Sequence, residues 1–205
     1  MRSSLSATPI RRARRESDSD ARADMKGILF TDFVEFMERE LPAAAAQVEV
    51  RAYSPLGSYP EDELLALVAR AGKAAGLPVS DVLRRFGAQL FRTLATIYPV
   101  FLDGVGSAFE LLGGIETYVH GEVKKLYPDA EFPGFEVHTR APGGLELVYR
   151  SRRPLADLAE GMMRGCIAWF GDCVDLDRQD IDAADGRAAR FTLRAVRTPR
   201  RRATA

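Results

Sequence analysis

The stretch IETYVHGEVKKLYPDAEFPGF, residues 115–135, decides how the rest of the chain is interpreted. Apolar residues recur in it at helical spacing, and His120, one of only two histidines, falls at the margin of that apolar stripe. Its imidazole should therefore point into the domain. Pro128 ends the predicted helix, and Pro133 follows shortly after it. A histidine placed in this way is typical either of a hydrogen-bonded residue at the edge of a core or of a ligand.

Upstream of this stretch, the hydrophobic pattern predicts a series of helices joined by short loops. Apolar residues recur at helical spacing, and proline, glycine and serine mark the ends of each run. The predicted helices cover residues 25–41, 43–50, 60–75 and 81–98, with Gly76 and Ser80 as caps. Residues 107–127 are predicted to form one longer, continuous central helix.

Downstream of Pro133 the periodicity changes to short, partly alternating runs separated by turn residues, which is typical of hairpins. The predicted strands cover residues 135–140, 145–151, 174–181 and 190–196. A long helix, residues 154–175, lies between the two hairpins. The predicted fold class is therefore α+β, with a mainly helical N-terminal half followed by a small four-stranded antiparallel sheet.

Composition and charge exclude several classes of partner. Acidic and basic residues number 29 each, so the formal net charge is zero and no general attraction to nucleic acid or to an anionic membrane is expected. No apolar run approaches the roughly 20 residues that would cross a bilayer. The N-terminus has charges but no apolar region of a secretory signal. These features predict a cytoplasmic protein that binds neither nucleic acid nor membrane.

The two ends of the chain differ in composition from its centre. Residues 1–24 are rich in Ser, Arg and Asp and are predicted to be a disordered extension, because they cannot bury enough apolar surface to offset their ordering entropy. Met25, where the structured pattern begins, is a candidate natural start. Residues 25–197 are predicted to form a single domain, and residues 198–205 a disordered basic tail.

The two cysteines, Cys166 and Cys173, suggest an alternative function. Both are predicted to lie in the helix 154–175, about two turns or roughly 10.5 Å apart, which is too far for a disulfide. A redox or zinc-binding regulatory module would use these thiols, with His120 and His138 as the other nitrogen or sulfur donors. We find no nucleophile–base arrangement and no glycine-rich phosphate loop, so the sequence does not predict an enzyme.

A second polar motif follows one of the predicted strands. Strand alternation puts Tyr149, Ser151 and Arg153 on the same side, where two hydroxyls and one guanidinium form a good clamp for a carboxylate. An edge strand with solvated arginines is the simpler alternative. One imidazole, a carboxylate clamp and an apolar slot are what a non-covalent haem with two propionates requires from a protein.

Taken together, these residues resemble the H-NOX family, the haem nitric oxide/oxygen-binding domains related to the sensor region of soluble guanylate cyclase. The resemblance covers about residues 25–196, essentially the whole predicted domain. It is carried by MKGIL (25–29), YPEDELLALV (59–68), FGAQLFRTLATIYPVF (86–101) and VHGEVKKLYPDAEFP (119–133).

The resemblance implies one non-covalent haem b and assigns roles to several residues. His120 matches the family's proximal iron ligand, and Tyr149, Ser151 and Arg153 match its Tyr-x-Ser-x-Arg propionate clamp. Pro133 matches the proline that distorts the porphyrin in this family. When nitric oxide weakens the iron–histidine bond, the helix that carries His120 should be released.

The resemblance also implies which gas is bound. Members that bind oxygen carry a distal tyrosine, and here the matching position is Leu158, with Phe33 and Leu90 at the supporting positions and Leu29 and Met162 completing the distal side. A pocket without a hydrogen-bond donor should bind nitric oxide and carbon monoxide and exclude dioxygen. The expected function is a stand-alone nitric oxide sensor that signals to a separate protein, a histidine kinase or a cyclic-di-GMP enzyme.

Overall fold

The computed structural model describes residues 24–126, 131–140, 143–181 and 185–196. The first part is mainly helical and comprises β1 (Asp24–Lys26), α1 (Gly27–Glu40), α2 (Pro42–Ala45), β2 (Ser58–Pro60), α3 (Glu61–Ala75) and α4 (Val79–Ile97). A 3₁₀ turn (Pro99–Leu102) leads to α5 (Ala108–Gly113), a π-helix (Ile115–His120) and α6 (Gly121–Leu126). The last part comprises β3 (Gly134–Arg140), β4 (Gly144–Arg150), α7 (Ala156–Phe170), β5 (Val174–Asp180) and β6 (Ala188–Ala195).

The α+β prediction is confirmed, with α7 between the two hairpins. The sheet is antiparallel throughout, and its strand order is β3-β4-β6-β5. Tyr149 of β4 stands opposite Phe135 of β3 on one side and Ala189 of β6 on the other. Because alternate residues face the same way, this register puts Leu145, Leu147 and Tyr149 on the buried face of the sheet.

Two clusters of buried apolar side chains form the core. One joins α1, α3 and α4, and the other joins the buried face of the sheet to α5 and α7. Helix α7 contributes to both clusters, with Leu158 in the first and Met163 and Cys166 in the second. Helix α7 therefore lies between the helical part and the sheet.

Helices α4 and α7 run side by side with almost no space between their backbones. A Cβ atom added to Gly161 would lie 2.1 Å from the carbonyl oxygen of Arg84, and one added to Gly87 would lie 2.3 Å from that of Leu158. Gly165 has a similar contact, with Ala88. Arg84 also bonds Asp157, at 2.5 Å between Nη1 and Oδ1, so the two helices are held together by an ion pair as well as by close packing.

We expect a Gly161→Ala substitution to destabilise the protein by about 1–3 kcal/mol, because a backbone oxygen occupies the place of the new methyl group. Gly113→Ala is the matched control, since a Cβ there meets nothing within 4 Å, and it should be neutral or slightly stabilising. Urea denaturation of both variants measures the difference. Equal stability of the two would contradict the close contact between α4 and α7.

Several predicted boundaries are wrong, and each has a local cause. Met25 lies in β1 and pairs with Tyr59 of β2, so the first helix begins at Gly27 and the predicted loop 53–59 ends in a strand. The second helix is shorter than predicted and ends at Ala45. Helix α4 begins at Val79, so Ser80 lies inside it and accepts a hydrogen bond from Arg84 instead of capping the helix.

The predicted helix 107–127 is interrupted. Gly113 is the last residue of α5 and Gly114 follows as its cap, and residues 115–120 form a π-helix before α-helical geometry resumes at Gly121. Glycine costs about 0.5–1 kcal/mol relative to alanine in a helix, so a pair of glycines is a favourable place for the break. The Gly76 cap is confirmed, with the left-handed backbone (φ 67°) that glycine adopts easily.

The other long helix also differs from its prediction. Helix α7 ends at Phe170, with Gly171 as a left-handed cap, so Cys173 lies beyond the helix that holds Cys166. The predicted extension and basic tail lie outside the described residues, except for Asp24, which begins β1. Among the helices described, none has the length and apolar character needed to span a bilayer. The cytoplasmic location stays a prediction.

Candidate functional site

A cavity of about 320 Å³ lies where α1, α4, α7, the π-helix and the sheet meet. Its walls are almost entirely apolar, and nine of the ten residues predicted to bind a cofactor line it. These nine are Leu29, Leu90, His120, Pro133, Tyr149, Ser151, Arg153, Leu158 and Met162. Residues separated by more than a hundred positions in the sequence are thus brought together at one site.

His120 lies at the C-terminal end of the π-helix, half-buried against two aromatic rings. Its imidazole stacks on Phe132 with ring centroids 4.8 Å apart, and it lies 5.9 Å from the ring of Phe135. Burial lowers the pKa of the imidazole below its ordinary value, and the nearby carboxylate of Glu116 opposes that shift. A neutral imidazole facing an apolar cavity is suited to ligate a metal.

Glu116 is a residue of this site that sequence reasoning missed. Its Oε1 accepts a hydrogen bond from the backbone N–H of Phe135 at 2.7 Å and lies 3.3 Å from Nδ1 of His120. That Nδ1 is buried and forms no hydrogen bond to the described residues. Glu116 therefore fixes the π-helix to β3 and lies close enough to Nδ1 to orient the ring.

The π-helix determines which way His120 faces. In an α-helix, residues five apart differ by about 140° around the axis. In a π-helix the backbone hydrogen bonds join residues i and i+5. Residues five apart are therefore about one turn apart and lie on nearly the same face. Ile115 and His120 are five apart, and both line the cavity together with Val119. The wide turn thus moves His120 from the margin of the stripe, where α-helical geometry predicts it, to the face that lines the cavity.

The predicted clamp lines the cavity at the C-terminal end of β4. Tyr149 is the last buried residue of β4, and Ser151 and Arg153 follow the strand. Burial raises the pKa of the Tyr149 phenol, and a hydrogen bond with Ser151 opposes this rise. The hydroxyl oxygen of Ser151 accepts a bond from the backbone N–H of Arg153 at 3.0 Å. The three side chains are therefore held together at the cavity wall.

Arg153 is a buried cation, with only 8% of its surface exposed. Its Nε donates to the carboxylate of Glu61, the first residue of α3, and its Nη1 donates to the carbonyl oxygen of Glu131 at 3.2 Å. Carboxylate recognition by this guanidinium is thus already present in the protein itself. The Tyr-x-Ser-x-Arg motif includes Arg153 but not Glu61, which is 92 positions away.

The distal side of the cavity is formed by four of the five apolar residues predicted for it. Leu29 of α1, Leu90 of α4, and Leu158 and Met162 of α7 line the cavity. The fifth, Phe33, is not among the described residues that line the cavity. It is fully buried in the core of the helical part, where its ring meets that of Phe86 edge-on at 5.0 Å. Phe33 belongs to the same buried cluster as Leu90 and Leu158.

The residue types around the cavity fit haem. Apolar walls suit the porphyrin, His120 is an imidazole donor for iron, and Tyr149, Ser151 and Arg153 suit its propionates. The cation already binds carboxylates, which is the chemistry that a propionate requires. His120 would hold the iron and Arg153 the propionates.

The cysteines do not meet at a common site. Cys166 is buried in the core between α7 and the sheet, whereas Cys173 is exposed in the segment before β5. Burial raises the pKa of the Cys166 thiol to about 12. Across the described ranges, no group of three or more histidine, cysteine or acidic residues could hold a metal ion. The zinc or redox alternative therefore has no support in the arrangement of these residues.

We expect the two thiols to react at very different rates. Cys173 is accessible, whereas Cys166 is buried with a raised pKa and has almost no thiolate at neutral pH. A thiol-specific disulfide reagent should modify one thiol per native chain and two in denaturant. A Cys173→Ser control should leave no fast-reacting thiol, and rapid modification of both native thiols would contradict the burial of Cys166.

Comparison with known proteins gives a consistent result. The model of the Haem-NO-binding (HNOB) family matches residues 26–178. An H-NOX protein from Shewanella woodyi, solved with Fe(II)CO and bound to IWP-051, is 30% identical. The match covers 84% of this chain and 95% of that one, with a TM-score of 0.70. A search of curated proteins gave no significant match.

Two further solved structures have the same fold. The Fe(II) unliganded H-NOX protein from K. algicida is 27% identical, with coverage of 85% of this chain and 98% of that one and a TM-score of 0.76. The H-NOX protein from S. oneidensis in the Fe(II)NO state is 24% identical, with coverage of 84% and 99% and a TM-score of 0.76. The α+β fold, the cavity and the family match over three quarters of the sequence lead to one conclusion: the chain belongs to the Haem-NO-binding, or H-NOX, family, whose cofactor is haem.

Proposed function

We propose that this chain is a nitric oxide sensor that binds haem b through His120, excludes dioxygen and signals to a separate partner protein. The family's members are haem-based gas sensors, and the non-catalytic role of this chain stays a prediction. The observation that carries the proposal is the single cavity lined by His120, by Arg153 and by the apolar side chains of α1, α4 and α7.

The distal wall supports selectivity for nitric oxide. Bound dioxygen carries negative charge and gains much from a hydrogen-bond donor, whereas nitric oxide and carbon monoxide gain little. Among the described residues, the side chains that line this wall at Leu29, Leu90, Leu158 and Met162 have no donor group. An apolar wall should therefore bind nitric oxide and carbon monoxide while it disfavours dioxygen.

The proximal side supports a mechanism for the signal. When bound, haem would supply the iron at which a gas binds, and His120 would hold that iron. His120 lies at the end of a π-helix that is fixed to β3 through Glu116, and Pro133 immediately precedes β3 at the cavity wall. Release of His120 would free residues 115–126 to move relative to the sheet.

The partner is proposed from the family alone. The described elements form the sensor fold, and the output activity is proposed to belong to another protein. A histidine kinase or a cyclic-di-GMP enzyme is the proposed partner. Co-purification of the chain with candidates of these two classes, with and without nitric oxide, would identify it.

The optical spectrum of the purified protein tests the proposal. We expect a Soret band, a shift of that band when nitric oxide or carbon monoxide is added to the reduced protein, and no stable dioxygen spectrum in air. The thiol-blocked protein is the control, because the cysteines take no part in haem binding. A protein that lacks a Soret band after reconstitution with haem would overturn the proposal, and a stable oxygen complex would overturn its selectivity.

A further inference from the structure

The contact between Glu61 and Arg153 joins the two parts of the fold at the haem cavity. Glu61 is the first residue of α3 in the helical part, and Arg153 follows β4 of the sheet. Of these two, Arg153 lines the cavity, and Glu61 reaches the guanidinium from α3. The pair therefore links the propionate clamp to an element that has no other role in the proposed site.

The three nitrogens of the Arg153 guanidinium are used differently. Nε donates to the carboxylate of Glu61, whereas Nη1 donates to the carbonyl oxygen of Glu131 and Nη2 lies 3.6 Å from the carboxylate of Glu131. Glu131 itself lines the cavity and is half exposed, with a side-chain exposure of 53%. The inner nitrogen is thus held from the helical part, while the outer nitrogens face groups of the cavity wall.

We propose that Glu61 is a positioning residue for the propionate clamp: it holds Nε of Arg153 so that the outer nitrogens are presented to the haem propionate in place of Glu131. This assignment rests on the proposed function. A guanidinium is planar, so fixing Nε fixes the directions of both outer nitrogens. A side chain that is already oriented loses less entropy when it binds a carboxylate.

Glu61 has a second effect in the haem-free chain. The side chain of Arg153 is only 9% exposed, and a buried cation without a nearby anion is strongly disfavoured. The Glu61 carboxylate, itself 29% exposed, compensates that charge before haem arrives. The clamp is therefore kept folded and ready in the apoprotein, which predicts an effect of Glu61 on stability as well as on haem retention.

Haem loss to an excess of a haem-scavenging apoprotein tests the assignment. In Glu61→Gln the loss should be about tenfold faster than in the wild type, since the orientation of Arg153 is lost while the clamp residues remain. In an Arg153→Gln background the same change should alter the rate less than about twofold. Asp62→Asn, which removes the neighbouring charge of the same first turn of α3, is the matched control and should lose haem at the wild-type rate.

Two further measurements separate positioning from a general loss of structure. Iron protoporphyrin IX dimethyl ester has no free propionates, so Glu61→Gln should not accelerate its loss. Glu61→Asp should restore part of the retention. Fluorescence of Trp169, the chain's only tryptophan, reports occupancy independently of the Soret band, because its ring lies 6.5 Å from that of Phe91 at the cavity wall.

The possible outcomes distinguish this assignment from the proposed function. A wild type that holds haem, together with a Glu61→Gln variant that loses it at the same rate, overturns the assignment alone. The assignment is also overturned if Glu61→Gln accelerates haem loss as much in the Arg153→Gln background as in the wild type. The same holds if Glu61→Gln accelerates loss of the dimethyl ester as much as loss of haem. A wild type that never takes up haem overturns both. In that case urea denaturation of the wild-type, Glu61→Gln, Arg153→Gln and doubly substituted apoproteins still measures whether Glu61 and Arg153 stabilise each other.

Discussion

A His120→Ala variant is expected to take up haem at least about tenfold more weakly than the wild type, and added imidazole should restore binding. His120 is the only histidine among the described residues that line the cavity, so the variant leaves the iron without an imidazole. Loss of a group that merely supports a metal ligand already costs 10–100-fold in affinity, and loss of the ligand itself should cost no less. Titration of the apoprotein with haem, followed by the Soret band, measures the change.

His138→Ala is the matched control for this experiment. His138 is the second histidine of the chain and is exposed on β3. Its removal should leave haem binding unchanged. The imidazole-rescued His120→Ala protein also tests signalling, because its iron ligand is no longer attached to the π-helix. If nitric oxide still switched the partner's output in that protein, release of His120 could not be the signal.

A Leu158→Tyr variant is expected to slow dioxygen release by about 10- to 100-fold relative to the wild type. Leu158 lines the distal side of the cavity, and a tyrosine there would bring a hydroxyl donor to an otherwise apolar wall. A hydrogen bond to a charged group contributes about 1.5–3 kcal/mol, which corresponds to this range of rates. Flash photolysis or stopped-flow mixing of the reduced protein with oxygen measures the rate.

Leu158→Phe separates the hydroxyl from the larger ring. Phenylalanine has nearly the same volume as tyrosine but no donor, so it should not slow dioxygen release. Equal behaviour of the two variants would mean that the donor is not what the distal wall lacks. Affinity for carbon monoxide should change little in either variant, because bound carbon monoxide carries little charge.

The elements that the sequence predicted well are those with a strong local signal. Helices α3 and α4 and the four strands of the sheet were recognised from periodicity and flanking turn residues. Strand β1 was missed, because its three residues pair with residues 58–60, more than thirty positions away. The π-helix was missed because the apolar spacing of residues 115–123 fits an α-helix equally well, and only the observed winding distinguishes the two.

For the candidate site, too, local spacing in the sequence predicted residues well and contacts that depend on tertiary packing were missed. The alternation that grouped Tyr149, Ser151 and Arg153 holds even though β4 ends at Arg150. Phe33 shares a helix with Leu29, but its place in an aromatic cluster with Phe36 and Phe86 depends on how α1 and α4 pack. Tertiary packing also creates the contact of Glu61 with Arg153 and that of Glu116 with Phe135, whereas the four-residue spacing of Glu116 and His120 is visible in the sequence.

The close contact of α4 and α7 also bears on how gas preference could evolve in this chain. Leu90 of α4 and Leu158 of α7 belong to two backbones that can hardly approach further, since Gly87 and Gly161 already leave no room for a methyl group. A larger or smaller side chain at either position cannot be absorbed by bringing the helices together. A larger side chain therefore makes the cavity smaller, and a smaller one makes it larger. We therefore expect single substitutions at Leu90 or Leu158 to change the shape of the cavity while the two helices stay in place.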